Sequence, residues 1–249
     1  MLVASYIEFG SLIFVLGSLV AAYVATDSYH QGTAFVRHIV LEVGLIGVII
    51  GAIAMLANMS DPEAIFPAVF IMLLVAIYSI FFYGVTSIID NTEVKIVSSS
   101  SIRPSIACVI FTLTVLYAIG TEPGLPAYLN LPSVILVLGG IGIIAGLSKI
   151  TNQVNVLEIV VRSLPFLGLF LFFVISIYVL TVLDDPRSIG PTLAVSYLSF
   201  LYALFLSVVI KLRRPSIVNG VTPIGWSFVG WALVILIFVL GLLLLSFAD

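Results

Sequence analysis

Apolar residues along this chain do not alternate with polar ones. They gather into eight long runs, at 6–25, 38–58, 65–89, 106–120, 131–150, 164–183, 189–211 and 226–247. A helix that crosses a bilayer needs about 20 mainly apolar residues. Short connections separate the runs and carry helix breakers: Asp61-Pro62, Glu122-Pro123-Gly124, Asp185-Pro186, Arg214-Pro215 and Asn219-Gly220. The pattern predicts an all-α, polytopic membrane protein with about eight transmembrane helices. The inner connections are read as loops at about 26–37 and 151–163, too short for a soluble domain.

Composition supports the membrane reading. The chain is 62% hydrophobic and 8% charged, whereas soluble domains carry about 25% charged residues. A net charge of −3 offers no basic face to nucleic acid. The single cysteine, Cys108, lies in an apolar run and excludes a disulfide framework. No basic region precedes the first run, and no small-residue cleavage site follows it, so the first segment is expected to stay in the mature protein. The sequence offers no catalytic triad, metal cluster or cofactor box, so neither an enzyme nor a cofactor is expected.

Charge sets the orientation. With the N-terminus outside, the inner side holds Arg37, Lys95, Arg103, Lys149, Arg162, Lys211, Arg213 and Arg214, eight of the nine basic residues. The outer side holds Arg187 with Asp61, Glu63, Glu122, Asp184 and Asp185. The positive-inside rule then places both termini on the outer (periplasmic) side.

The runs also repeat. A shift of 124 places Asp61 on Asp185, Pro62 on Pro186, Ile65 on Ile189, Pro67 on Pro191 and Tyr78 on Tyr202. Upstream, a shift of 122 places Ser11 to Gly17 on Ser133 to Gly139, Tyr6 on Tyr128 and Glu8 on Asn130. Arg103-Pro104-Ser105-Ile106 recurs as Arg214-Pro215-Ser216-Ile217. The unit is four helices long, and the halves divide at 1–121 and 122–249. An even unit makes a parallel repeat, unlike the inverted repeats of many transporters.

Gly44-Leu45-Ile46-Gly47 with Gly51, Met55 and Leu56, followed by an Asp-Pro turn and an apolar helix with a central tyrosine, resembles the last two helices of the MotA/TolQ/ExbB family, in particular its flagellar stator branch. Asp185-Pro186-Arg187-Ser188-Ile189-Gly190-Pro191 resembles the family's turn, Leu131 to Gly140 its second helix, and Ser163-Leu164-Pro165-Phe166-Leu167-Gly168 the start of its third. The resemblance implies a subunit that forms a homo-oligomer around a MotB/TolR/ExbD-like partner with one membrane helix. That partner carries the essential aspartate, and ion flow drives mechanical work. The alternative is a non-conducting scaffold or accessory subunit of a larger membrane complex, in contact with other proteins and lipid.

This chain departs from the family pattern. It lacks the large cytoplasmic domain between the second and third helices. The family's hydroxyl positions near the ion route fall on Val48, Phe172, Val75-Ala76 and Ser199-Phe200, so the first half looks dry. The candidate ion-path or partner-facing residues are Pro165, a prospective hinge, with Thr192, Ser196, Ser199 and Glu42. Glu42 reads either as a proton-relay carboxylate or as a boundary acid paired with Arg37 or with neighbours of the Glu158-Arg162 kind. His38 reads as an interfacial anchor or a pH-sensitive group. Asp61, Pro62, Pro67, Asp185, Pro186 and Pro191 read as structural outer turns, with each aspartate capping the helix that follows. Gly139, Gly140, Gly142 and Gly146 form a small-residue face suited to close helix packing.

Overall fold

A computed structural model describes residues 8–57, 62–89, 95–97, 102–120, 124–153, 155–179, 186–220 and 230. Among them are seven α-helices: α1 (Phe9–Ala25), α2 (Tyr29–Ala57), α3 (Pro62–Ile89), α4 (Arg103–Gly120), α5 (Leu131–Ile150), α6 (Val156–Val179) and α7 (Pro186–Arg213). Two 3-10 turns, Leu125–Tyr128 and Pro215–Gly220, precede α5 and follow α7. Six of the helices, α2 to α7, are long and apolar enough to cross a membrane, and α1 is a shorter apolar helix. The expected last span, 226–247, lies outside the described residues except for Gly230.

Local chemistry explains where several helices begin. Glu8 caps α1, its carboxylate accepting from the N–H groups of Gly10 and Ser11. Asn130 caps α5, its Oδ1 accepting from Ser133 N at 3.0 Å. Pro62 and Pro186 open α3 and α7, where a missing N–H leaves no helix bond unmade. Pro67 and Pro191 fall inside those helices. Asp61 and Asp185, expected as caps, lie outside the described residues. Pro165 is buried inside α6, and the helix runs through it.

The inner connections are shorter than the sequence reading made them. Helix α2 begins nine residues before 38, and α6 begins eight residues before 164. Ser28 Oγ accepts from Gln31 N at 3.3 Å, and Asn155 Nδ2 donates to Glu158 Oε2 at 3.3 Å. Ser28 caps α2 through Gln31 N, Asn155 pairs side chain to side chain with Glu158 in the first turn of α6, and both helices start before the apolar run begins. What looked like loops are largely helical extensions carrying Arg37 and Arg162.

Helix α2 is the most enclosed element and α7 the next. Helix α3 packs along α2, and α7 along both α6 and α2, while α4 covers α1. Glycines let the first hairpin close. A Cβ on Gly44 would meet Ser79 Cβ at 2.5 Å, one on Gly47 would meet Val75 Cγ1 at 2.5 Å, and one on Gly51 would strike Met72. These three glycines lie on one α2 face at helical spacing. In the second hairpin a Cβ on Gly168 would meet Phe200 Cδ2 at 2.7 Å and Ala203 Cβ at 2.8 Å.

Polar contacts tie the α1–α2 connection to the start of α4, and the stretch before α4 to the turn after α7. Arg103 pairs with Asp27 at 3.3 Å, an exposed contact worth at most about 1 kcal/mol. Asn219 Nδ2 donates to Ile96 O at 2.7 Å, and its Oδ1 accepts from Ile96 N at 2.9 Å. Its side chain thus satisfies both backbone groups of a buried residue 123 positions away. Asn219→Ala is expected to lose both bonds and destabilise by about 1–3 kcal/mol. The check is amide hydrogen exchange at Ile96, which should accelerate while the amides of α2 stay protected.

Candidate functional site

The charged group deepest in the described bundle is Glu42, which is fully buried on α2. Lys211, buried on α7, donates from Nζ to Glu42 Oε1. Ser207, one turn before Lys211 and also buried, donates from Oγ to Glu42 Oε2 at 3.0 Å. Residues four apart share a helix face, so α7 presents a hydroxyl and an ammonium side by side to one carboxylate. A buried carboxylate is tolerable only when paired and hydrogen-bonded. Both Glu42 oxygens are engaged, and the cluster carries no net charge. Its partners are neither Arg37 nor the Glu158-Arg162 group. His38, half-buried, stands one turn before Glu42 on α2.

The predicted hydroxyls sit elsewhere along α7. Ser196 and Ser199 are fully buried. Ser196 Oγ donates to Leu193 O at 2.7 Å, and Ser199 Oγ to Val195 O at 3.3 Å. Ser133 of α5 donates to the same Val195 carbonyl at 3.2 Å. Both α7 hydroxyls are therefore satisfied by their own helix. Thr192 is half-buried near the start of α7. Eight residues, about two turns and roughly 80° of rotation, separate Ser199 from Ser207. The fold does not bring Ser196 and Ser199 to Glu42.

A second polar network joins the halves nearer the opposite end. Tyr202 donates to Tyr128 O at 2.7 Å, and its hydroxyl accepts from Asn130 N at 2.9 Å. Tyr128 in turn donates to Ile50 O at 3.0 Å. Ile50 lies about two turns before the end of α2, so the described stretch before α5 is tied to α2 at that depth. Beside it, Thr112, Leu116, Leu125, Leu129, Leu201 and Phe205 help enclose an apolar recess of about 190 Å³. Tyr202→Phe is expected to strand the Asn130 amide and the Tyr128 carbonyl, at a cost of about 1–3 kcal/mol. Thermal unfolding in detergent should show the loss, and Tyr78→Phe provides a same-chemistry comparison in the other half.

No family model, curated protein or solved structure matches this chain. The functional signal is therefore chemical. Sequence reasoning found Glu42 and missed Lys211 and Ser207, because they stand 165 and more residues away. The one local hint was the four-residue spacing of Ser207 and Lys211. Lys211 otherwise reads as one more inner-boundary cation. Cys108 is half-buried and donates to Val209 O at 3.6 Å, which gives the lone thiol a packing role between α4 and α7.

Proposed function

We propose that this chain is a stator-like membrane subunit of the MotA/TolQ/ExbB type, one that forms an oligomer and couples ion flow to mechanical work with a single-helix partner. The observation that carries the reading is that two sets of equivalent residues make like contacts in both halves. Gly44 lies under Ser79 and Gly168 under Ala203, each pair 124 apart in the other half. Glu8 caps its helix through Ser11 N, and Asn130 through Ser133 N, each 122 apart. This supports a four-helix unit used twice, over 1–121 and 122–249, with 226–247 as the eighth span.

In this reading the chain lies in a bacterial inner membrane with both termini periplasmic. The clustering of inner connections with their basic residues at one end of the bundle supports that sidedness. The partner supplies the carboxylate for ion transfer, because Glu42 is already neutralised by Lys211. The second reading, a non-conducting scaffold, is favoured by Ser196 and Ser199 being closed onto their own backbone. An ion leaving water needs free dipoles in exchange.

Affinity purification of the tagged chain from its native membrane separates the two. The stator reading expects a co-purifying protein with one membrane helix and an aspartate in it. It also expects a loss of ion-driven output in Ser199→Ala. Recovery without such a partner, together with unchanged output in Ser199→Ala, establishes the scaffold instead.

A further inference from the structure

Helices α4 and α7 run antiparallel and touch along a seam. Phe111 stacks on Phe205 with ring centroids 5.7 Å apart, and Cys108 donates to Val209 O at 3.6 Å. Continued by one more turn, this register brings Arg213, at the end of α7, level with Arg103-Pro104 at the start of α4. Phe205, Val209 and Arg213 are spaced four apart, so they lie along one side of α7.

The seam has a basic end and an apolar end. Arg213 and Arg214 are both exposed. The ion pairs among the described residues engage Arg103 and Lys211 and leave these two guanidiniums without a carboxylate. Asn219 ties Ile96 to the turn that follows them, which places the exposed Lys95 beside that turn. Farther up the seam lies the apolar recess of about 190 Å³. Val115 and Leu201 are buried in its wall, while Leu116, Leu125 and Leu129 are exposed at its rim. The hydroxyls of Tyr128 and Tyr202 beside it are committed to Ile50 O and Tyr128 O. An apolar cavity of about 150 Å³ stays dry and accepts a molecule the size of benzene, so this one has room for the end of a hydrocarbon chain. Between the two ends, Ile106, Val109 and Leu113 of α4 are exposed, which leaves the path open from the side.

We propose that the α4–α7 seam binds one anionic phospholipid, with its phosphate on Arg213 and Arg214 and one acyl chain running along the seam into the recess. The spacing of the two ends carries the assignment. Eight residues separate Arg213 from Phe205 and twelve separate it from Leu201, about 12–18 Å along the helix. The hydrocarbon of one leaflet is about 15 Å deep, half of a core of about 30 Å. A lipid whose headgroup lies at the end of α7 thus brings the end of its chain to the recess. Charge selects the headgroup. Guanidinium groups bind phosphate through paired N–H donors, and a lipid with net negative charge gains more from two cations than a zwitterionic one, whose own ammonium opposes them. At the shift of 124 the counterparts of Arg213 and Arg214 are Ile89 and Asp90. The repeat therefore does not supply these bases twice, and one such lipid per chain is expected. The inference needs only that the chain spans a membrane and does not depend on the stator reading.

Native mass spectrometry of the full chain in detergent, titrated with phosphatidylglycerol or phosphatidylcholine, tests the site. The expected result is one phosphatidylglycerol per chain, held more tightly than phosphatidylcholine. Arg213→Gln and Arg214→Gln should each weaken phosphatidylglycerol about fivefold, from ~1 kcal/mol per basic residue near an anionic surface, and leave phosphatidylcholine unchanged. Lys149→Gln removes an exposed base at the end of α5 and should leave both lipids unchanged. Leu116→Trp, which fills the mouth of the recess, should weaken long-chain phosphatidylglycerol severalfold and spare dihexanoyl phosphatidylglycerol, whose chains are too short to reach it. Only variants that elute as the parent does are scored. Equal binding of the two headgroups by the parent, or equal losses from Lys149→Gln and Arg213→Gln, would reduce the seam to diffuse attraction and overturn the proposal. Long-chain binding unchanged by Leu116→Trp would overturn the recess as the place of the chain. None of these failures bears on the oligomer or its partner helix, so the stator reading stands or falls separately.

Discussion

Lys211→Met is expected to destabilise the folded chain by roughly 3–5 kcal/mol, since it leaves the Glu42 carboxylate buried without a cation. The pair joins α2 to α7, which belong to different halves, so its loss should loosen the halves from each other before it disturbs either hairpin. Glu42→Leu alone strands the ammonium and should cost a similar amount. The double variant Glu42→Leu, Lys211→Met removes both charges and should recover most of the loss, because an apolar pair of similar volume often substitutes for a buried ion pair. Thermal unfolding of the four proteins in detergent gives the cycle directly. A Lys211→Met protein with the parent's Tm would mean that Glu42 is neutral in the parent or reaches another cation. Ser207→Ala should have a smaller effect, of about 1–3 kcal/mol, as one hydrogen bond to a charged group is lost.

Gly47→Leu is the second substitution expected to act strongly. A Cβ at Gly47 already meets Val75 Cγ1 at 2.5 Å and Phe14 Cε1 at 2.9 Å, so three helices must move to admit the side chain. Overpacking of a close contact costs about 1–3 kcal/mol and sometimes more. Here the intruding group is large and its neighbours include the stiff, β-branched Val75, so the upper end is expected. Gly51→Leu should be milder, because Met72 is flexible and yields more readily. Gly84→Ala sets the baseline. No described atom lies within 4 Å of a Cβ at Gly84, and alanine favours a helix over glycine by up to about 1 kcal/mol. Size-exclusion profiles with thermal unfolding should rank Gly84→Ala at or above the parent, Gly51→Leu below it and Gly47→Leu lowest. Equal behaviour of Gly47→Leu and the parent would mean that α2 and α3 do not pack through this glycine face.

These two predictions also mark what was legible in the chain. The helical membrane class follows from the length of the apolar runs, and the starts of α3 and α7 follow from Pro62 and Pro186. The early starts of α2 and α6 were legible in principle, since Ser28 with Gln31 and Asn155 with Glu158 have cap spacing. A reading based on hydropathy alone overrode them. The glycines of α2 announce close packing, but the sequence does not say that Ser79, Val75 and Met72 are what they pack against. Glu42 stands out as an acid in an apolar run, yet its partner is set by how α7 lies on α2, which is a tertiary fact. The same holds for Tyr202, whose reach to Tyr128 and Asn130 depends on how the stretch before α5 packs against α7. Ser196 and Ser199 look available in the sequence because helix-backbone acceptance is invisible there.

The small inner connections carry a functional consequence. A stator-type subunit normally offers its rotor a large cytoplasmic domain, and this chain has only three residues between α1 and α2 and five between α5 and α6. Under the proposed stator reading, mechanical output would pass through the ends of helices such as α2 and α6, which carry Arg37 and Arg162, or through a separate protein bound there.

Direct imaging of the purified particle, with chains counted and the central density inspected, tests the stator reading at its root. The account predicts a closed ring in which each chain contributes two similar four-helix units around a central partner helix. A plain dimer, or a ring whose centre is filled with lipid, would contradict it.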